Sequence, residues 1–409
     1  MLPTTNPSVE DRLVKSWIQR ELALESVKPT VRTRHWREAL KALRDDEKPA
    51  DLRLTWHRGS IAVDVVQDRY SDMEGDDKVR CLNDALSQIE RAKVAPLSDP
   101  ELGQLLGRKA SLLRVRATYT EKRVGDFAEP LKCAELAAKK NTEDLGLVLE
   151  LGLSEWAYAR HERTDAAYET RMRSAELHLK MALELEEGRF SLARFYRMNW
   201  RPIEACAAFP VIDPSGNWRR LLREAYILAE AVIDLETGET PVENYVEDRQ
   251  RAMRLLERAI ASGYDDARNI VDLAFLQYYD SNAKDADTIL KDLMGGEAID
   301  WNQIVDSLQT LSPSDLAAQG FALGIGDAAS LNKLGTFAKD ILRDEGKAER
   351  LYRLAMNVDR SNPIPVRNLA DLLMGREDDE GAVEEAKGLI LKAKGLSDRR
   401  FRRWVPVGE

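Results

Sequence analysis

Apolar and polar residues alternate along this chain with the period of an α-helix. Residues 76–93, DDKVRCLNDALSQIERAK, and 248–263, DRQRAMRLLERAIASG, place apolar side chains at helical spacing with charges on the opposite face. Seven times a small or apolar residue recurs at i, i+4 and i+7. The sets are Ala85/Ile89/Ala92, Pro130/Ala134/Ala137, Ala175/Leu179/Ala182, Ala252/Leu256/Ala259, Ala286/Leu290/Leu293, Ala348/Tyr352/Ala355 and Ala386/Ile390/Ala393. In four of the six following gaps, Leu then Gly or Ala stands 14 and 15 residues after the last member: Leu106-Gly107, Leu151-Gly152, Leu273-Ala274 and Leu369-Ala370. Ordinary usage gives such a dipeptide at a preset position about 2% of the time. The pattern therefore predicts repeated helix pairs, and with them a binding surface in preference to a catalytic pocket.

Strand signals are nearly absent. Residues 53–70, RLTWHRGSIAVDVVQDRY, are rich in β-branched residues but hold no internal turn chemistry and exceed one strand in length, so they too are expected to be helical. Helix starts are expected at Asp99-Pro100-Glu101, Asp213-Pro214 and Asn362-Pro363. Glycines 188, 263, 346 and 395 are expected at helix C-caps.

The repeat register divides the chain. Residues 1–79 form an N-terminal helical cap with Trp17 and Trp36 on helices, and 80–200 hold regular repeats. Residues 201–250 are irregular and include an acidic insertion at 234–248; 251–396 return to repeats, and 397–409 are an Arg/aromatic tail.

Composition narrows the function classes. The net charge of −10 opposes sequence-independent binding to nucleic acid, which depends on Lys and Arg neutralising phosphates. No apolar run approaches a membrane span, and MLPTTNPSVEDRLVK has no secretory h-region, so a cytoplasmic protein without membrane contact is expected. Cys81, Cys133 and Cys206 are widely spaced and read as packed thiols.

Motifs for chemistry fail residue by residue. His161-Glu162 starts like a zinc-protease helix, but Asp165 stands where the second His is needed. Asp280-x-Asn282 starts like a calcium loop, but Lys284, Asp285 and Lys291 oppose it. Gly324-Ile325-Gly326-x-x-Ala329 fits the loose dinucleotide fingerprint, yet helical sequence precedes it where a strand is required. His35, His57, His161 and His178 are scattered. No catalytic residue, metal site or cofactor is expected.

The repeat resembles the tetratricopeptide (TPR) family and its Sel-like relatives. That pattern carries Leu-Gly on the first helix and A-x3-F-x2-A on the second. Residues 332–362 supply Leu334-Gly335, then Ala348, Tyr352 and Ala355, with Arg360 in place of the usual proline. Residues 257–279 are closer to the Sel-like variant. The resemblance covers about 80–200 and 250–396, and implies an all-α fold, a right-handed α-solenoid of stacked antiparallel helix pairs. It further implies a groove lined by first helices. Candidate groove residues are Arg108, Leu153, Trp156, Phe275, Tyr278, Arg367 and Asn368, with an aromatic and apolar middle. The Lys/Asn set by which some TPR domains clamp a carboxylate is not reproduced, since Asn332 and Thr336 occupy those places. The expected function is that of an adaptor, scaffold or regulatory subunit holding a helix or extended segment of another protein. Two alternatives remain open. One is a ligand- or nucleic-acid-responsive regulator using Arg399, Arg400, Arg402, Arg403 and Trp404. The other is a regulatory substrate cut by a partner enzyme.

Overall fold

The computed structural model describes residues 7–26, 28–44, 50–68, 71–92, 96–119, 124–159, 164–199, 201–208, 246–261, 328–340, 343–358, 363–376 and 378–400, with residues 162, 228, 272, 273, 276 and 277 individually. Most of the described residues are helical, and no strand occurs among them. The chain divides into two compact units, Met1–Leu192 and Ala193–Glu409.

The first unit holds α1 (Val9–Glu25), α2 (Pro29–Ala42), α3 (Leu52–Gln67), α4 (Gly75–Ala92), α5 (Asp99–Tyr119), α6 (Val124–Lys140), α7 (Leu145–Ala159) and α8 (Asp165–Met181). Helix α9 (Glu186–Met198) begins in this unit. The second unit holds α10 (Pro202–Ala207), α11 (Val246–Ala261), α12 (Ala328–Asp340), α13 (Glu345–Val358), α14 (Pro363–Met374) and α15 (Glu380–Arg400). Neighbours in sequence pack as pairs: α1 with α2, α3 with α4, α5 with α6, α7 with α8, α12 with α13 and α14 with α15. First helices also touch successive first helices, α1 to α3, α3 to α5, α5 to α7, and α12 to α14.

The spaced small residues explain the close pairing. Ala85, Ile89, Ala134, Ala137, Ala175, Leu179, Ala182, Ala348, Tyr352 and Ala355 are all buried. Gly152 faces the second helix of its own pair: a Cβ there would lie 3.1 Å from His178 Cβ and 3.2 Å from the Ala175 carbonyl oxygen. At Gly335 a Cβ would lie 2.6 Å from Tyr352 Cε1. Small residues on one helix thus admit a large one from the other. Ile390 departs from the rule. It is 46% exposed on the last described helix, with Leu391 beside it at 72%.

Helix starts follow capping chemistry, with shifts from expectation. In α5 the cap is Ser98, one residue before Asp99; the Glu101 carboxylate accepts from the Ser98 N–H at 2.9 Å. Asp344 caps α13 by accepting from the Lys347 N–H at 2.9 Å, and Asp144 and Asp379 cap α7 and α15 in the same way. Each is followed two residues later by glycine, so Gly346 belongs to a helix start and not to a C-cap. Gly188 likewise lies in the first turn of α9, where a Cβ would collide with the Ala182 carbonyl oxygen. Gly395 lies inside α15; Gly263 and the Asp213-Pro214 start lie outside the described residues. The left-handed position near the end of α12 is taken by Arg343, at φ 56°, while the Asp344 N–H donates to the Ala338 carbonyl at 2.9 Å. The stretch at 53–70 is helical over Leu52–Gln67, started by Asp51.

In the second unit, charges tie α13 to its neighbours. Arg353 donates to both Glu385 oxygens at 2.7 and 3.0 Å and to Glu349 at 2.9 Å; Arg376 donates to Glu349 at 2.7 Å. Partial burial works against ionisation of Glu349, but the two guanidiniums outweigh it and hold the carboxyl below its usual range. Arg353 does the same for Glu385, against slight desolvation. Carboxylates depressed in the folded state add stability that is full above their unfolded pKa and lost as pH falls through the folded one. Thermal unfolding followed from pH 6 to about pH 3 should therefore show a falling Tm. Glu349→Gln should be less stable at pH 7 and lose less on acidification. Solvent keeps the effect near 1 kcal/mol or below.

Candidate partner-binding face

A row of charged and aromatic side chains crosses the four first helices of the first unit. From α1, Arg20 donates through Nε to Asp64 on α3 at 2.9 Å, and through Nη1 to Glu21 at 2.8 Å. Partial burial disfavours its charge, but Asp64 more than compensates and raises its pKa. Arg108 follows from α5. Arg20 and Asp64 stand 44 residues apart, as do Asp64 and Arg108. Beyond Arg108, Arg114 makes a two-pronged contact with Glu150 on α7, Nε to Oε1 at 2.8 Å and Nη2 to Oε2 at 2.9 Å. The Ser154 hydroxyl donates to Glu150 at 3.1 Å.

Arg108 differs from the other two arginines. Its guanidinium lies 4.5 Å from the centre of the Trp56 ring. Its Nε–H is buried and has no acceptor among the described residues. Asp64 and Glu150 act on it through their fields and favour its charge, while burial lowers its pKa more strongly. Each of those carboxylates is hydrogen-bonded to another arginine. Gly59 makes the geometry possible, because a Cβ there would lie 2.6 Å from Arg108 Cγ and 2.8 Å from Cδ. A glycine inside a helix costs about 1 kcal/mol against alanine; here it lets the arginine stem lie flat on α3. Stacking on Trp56 contributes about 0.5–2 kcal/mol and fixes the guanidinium plane. His57 sits edge-on to Trp56, at 5.1 Å between ring centres. Burial lowers its pKa first, and Arg108 and Arg20 lower it further, which favours the neutral ring. The row thus holds an oriented, half-buried cation.

A second polar cluster joins α7 to α8. Buried Glu155 accepts from the Ser174 hydroxyl at 2.7 Å and pairs with His178 Nδ1 at 2.7 Å. Arg171 lies 3.8 Å from the same carboxylate. Here the carboxylate stands between hydroxyl and imidazole, so the two are joined through Glu155 and not to each other. The adjoining depression, lined by Glu162, Ala166, Thr170, Arg171 and Ser174, is shallow and open. Cys133 and Cys206 are buried, and burial pushes the half-buried Cys81 thiol up, away from the reactive thiolate. No group of three metal-ligating side chains occurs among the described residues. No helix there is long and apolar enough to cross a membrane.

Of the groove residues expected from sequence, Arg108 lies in this row. Leu153 is half-buried, and Trp156 is 8% exposed, so its ring belongs to packing. In the second unit Arg367 is exposed, and Asn368 donates to Asn332 at 2.9 Å. Nearby, Lys333 donates to the fully buried Asp272 at 2.6 Å. Phe275, Tyr278, Arg402, Arg403 and Trp404 lie outside the described residues, as do the side chains of Arg399 and Arg400. The row across the first unit is charged, with Trp56 as the platform. Arg20, Trp56, Asp64, Arg114 and Glu150 were not anticipated. The 44-residue interval between Arg20, Asp64 and Arg108 was the available signal, since it nearly matches the spacing of the small-residue triplets. No protein-family model matches the chain, and no curated protein matches it.

Proposed function

We propose that this chain recognises another protein without catalysis, as an adaptor or regulatory subunit that holds and restrains its partner. In this reading the helix pairs form a TPR- or Sel-like α-solenoid whose first helices line the groove. The observation that supports it is Arg108, half-buried and stacked on Trp56 in a row of charged side chains that crosses successive first helices. A charge-assisted bond from its guanidinium to an acidic side chain in an extended or helical partner segment would use that orientation. The flanking Arg20–Asp64 and Arg114–Glu150 pairs would set register with little loss of conformational freedom.

The test is quantitative capture from the native host. Arg108→Glu and Trp56→Ala should each weaken capture of the same partner by about tenfold or more, the size of a lost charged hydrogen bond. Substituting Arg402 and Arg403 should leave it unchanged. Wild-type capture by Arg108→Glu with an unaltered melting transition would sink the proposal, and dependence on Arg402 and Arg403 would move the site to the tail.

A further inference from the structure

Two amide side chains join successive first helices of the second unit. Asn368 on α14 donates through Nδ2 to Asn332 Oδ1 on α12 at 2.9 Å. Each side chain spends one end of its amide in that bond. The other ends, Asn332 Nδ2 and Asn368 Oδ1, have no partner among the described residues, and neither is sealed from solvent. Both residues are half-buried. Each lies off the buried stripe of its helix, which is Leu331, Leu334 and Ala338 on α12 and Val366, Leu369 and Leu373 on α14. The spare amide ends are thus open at the junction of two first helices. Polar groups around them are engaged. Lys333 donates to Asp272 at 2.6 Å. The Thr336 hydroxyl donates to the Asn332 carbonyl and accepts from the Tyr352 hydroxyl, each at 3.2 Å. These contacts fix the turn of α12 that carries Asn332.

We infer that Asn332 and Asn368 bind the main chain of an extended segment of the partner protein. Such a contact rests on the partner recognition proposed above, and it fixes the conformation of the segment where it crosses α12 and α14. The couple offers one donor, one acceptor and no charge. Reversing both amides leaves the same offer, since each still spends one end on the other. A residue in an extended chain turns its own N–H and C=O to the same edge, the pair that strands exchange across a ladder. Asn368 Oδ1 would accept from that N–H, and Asn332 Nδ2 would donate to that C=O. A helical segment cannot answer, because its N–H and C=O groups are bonded within the helix except at its ends. An ionised acid answers only the donor, and a lysine only the acceptor. A nucleic-acid base edge also pairs with an asparagine amide, but the net charge of −10 opposes the approach of its phosphates. Main-chain bonds of this kind supply affinity and leave the choice of sequence to side-chain contacts.

Fluorescence anisotropy of a labelled pool of mixed-sequence decapeptides, titrated with the full chain to about 500 µM, tests this. The pool should bind weakly, as main-chain contacts alone allow. Asn332→Asp keeps the acceptor for Asn368 and replaces the spare donor by an oxygen. It should weaken binding about threefold to tenfold, the range of one lost hydrogen bond, while Tm holds. Asn368→Ala should weaken binding as much. A pool methylated at every main-chain nitrogen has lost its donors and should bind the wild type about as poorly. An alanine-rich helical peptide should not compete. A wild type that does not bind the pool overturns the inference. So does wild-type affinity in Asn332→Asp, or full binding of the methylated pool. Asparagine-dependent binding of an oligodeoxyadenylate in place of the peptides overturns it as well. None of these readouts involves Arg108 or Trp56, so capture lost there and peptide binding lost here are separate results.

Discussion

Asp68→Ala is expected to lower the stability of the first unit by about 3–5 kcal/mol, the cost of removing one partner from a buried ion pair. The side chains of Asp68 and Arg32 are 3% and 2% exposed. Asp68 Oδ2 accepts from Arg32 Nε and from Trp36 Nε1, both at 2.6 Å. Arg32 also donates to the Ser26 carbonyl at 2.9 Å. The Asp68 carbonyl accepts from the buried Lys78 ammonium at 2.8 Å, although burial lowers the Lys78 pKa. One residue just past α3 thus joins α2, α3 and α4. Its removal leaves a guanidinium and an indole N–H in a space too dry to hydrate them. Urea unfolding should show the loss, and amide exchange should place it in α2 to α4. Asp68→Asn keeps the shape without the charge and should cost less. A joint Arg32→Met, Asp68→Leu replacement should recover much of the loss, because apolar pairs of similar volume often match a buried ion pair. A cost below about 1 kcal/mol for Asp68→Ala would show that the site admits water.

The helix pairing was legible in the sequence because it is written in local intervals. Ala175, Leu179 and Ala182 recur at the spacing of one helix face, and Gly152 meets that face. The helix at Leu52–Gln67 was legible despite its valines, since no turn residue interrupts it. Glycine was the weaker guide. Its usual meaning at a helix end failed at Gly346, which lies in the first turn of α13 just after the capping Asp344, and the left-handed turn fell to Arg343. The candidate site was legible only at Arg108. Arg20, Asp64 and Glu150 acquire meaning across three helix-to-helix contacts that no single segment reveals. Two of them lie where the repeat pattern is poor, so register could not be carried to them.

Tyr352→Ala is the corresponding prediction for the second unit, with an expected cost of about 3–5 kcal/mol. Tyr352 is fully buried at the middle position of its triplet, between Ala348 and Ala355. The ring lies against Gly335 on the paired helix, and the hydroxyl donates to Thr336 Oγ1 at 3.2 Å. Burial raises its pKa to about 12, with the Thr336 contact opposing the shift, so the ring stays neutral at all ordinary pH. Most of its contribution is then packing, and Tyr352→Phe should cost only about 0.5–1.5 kcal/mol for the hydrogen bond. The reciprocal change separates packing from polarity. Gly335→Ala inserts a methyl where the ring already sits and should cost about 1–3 kcal/mol by overpacking. Combined with Tyr352→Leu, whose side chain is smaller, it should cost less than the two losses added together, because the new methyl occupies vacated space. Denaturation of the wild type, the two single variants and the double variant measures that coupling. Strict additivity would mean that these two positions do not share one interface, and that the register joining Leu334-Gly335 to Ala348, Tyr352 and Ala355 is misplaced.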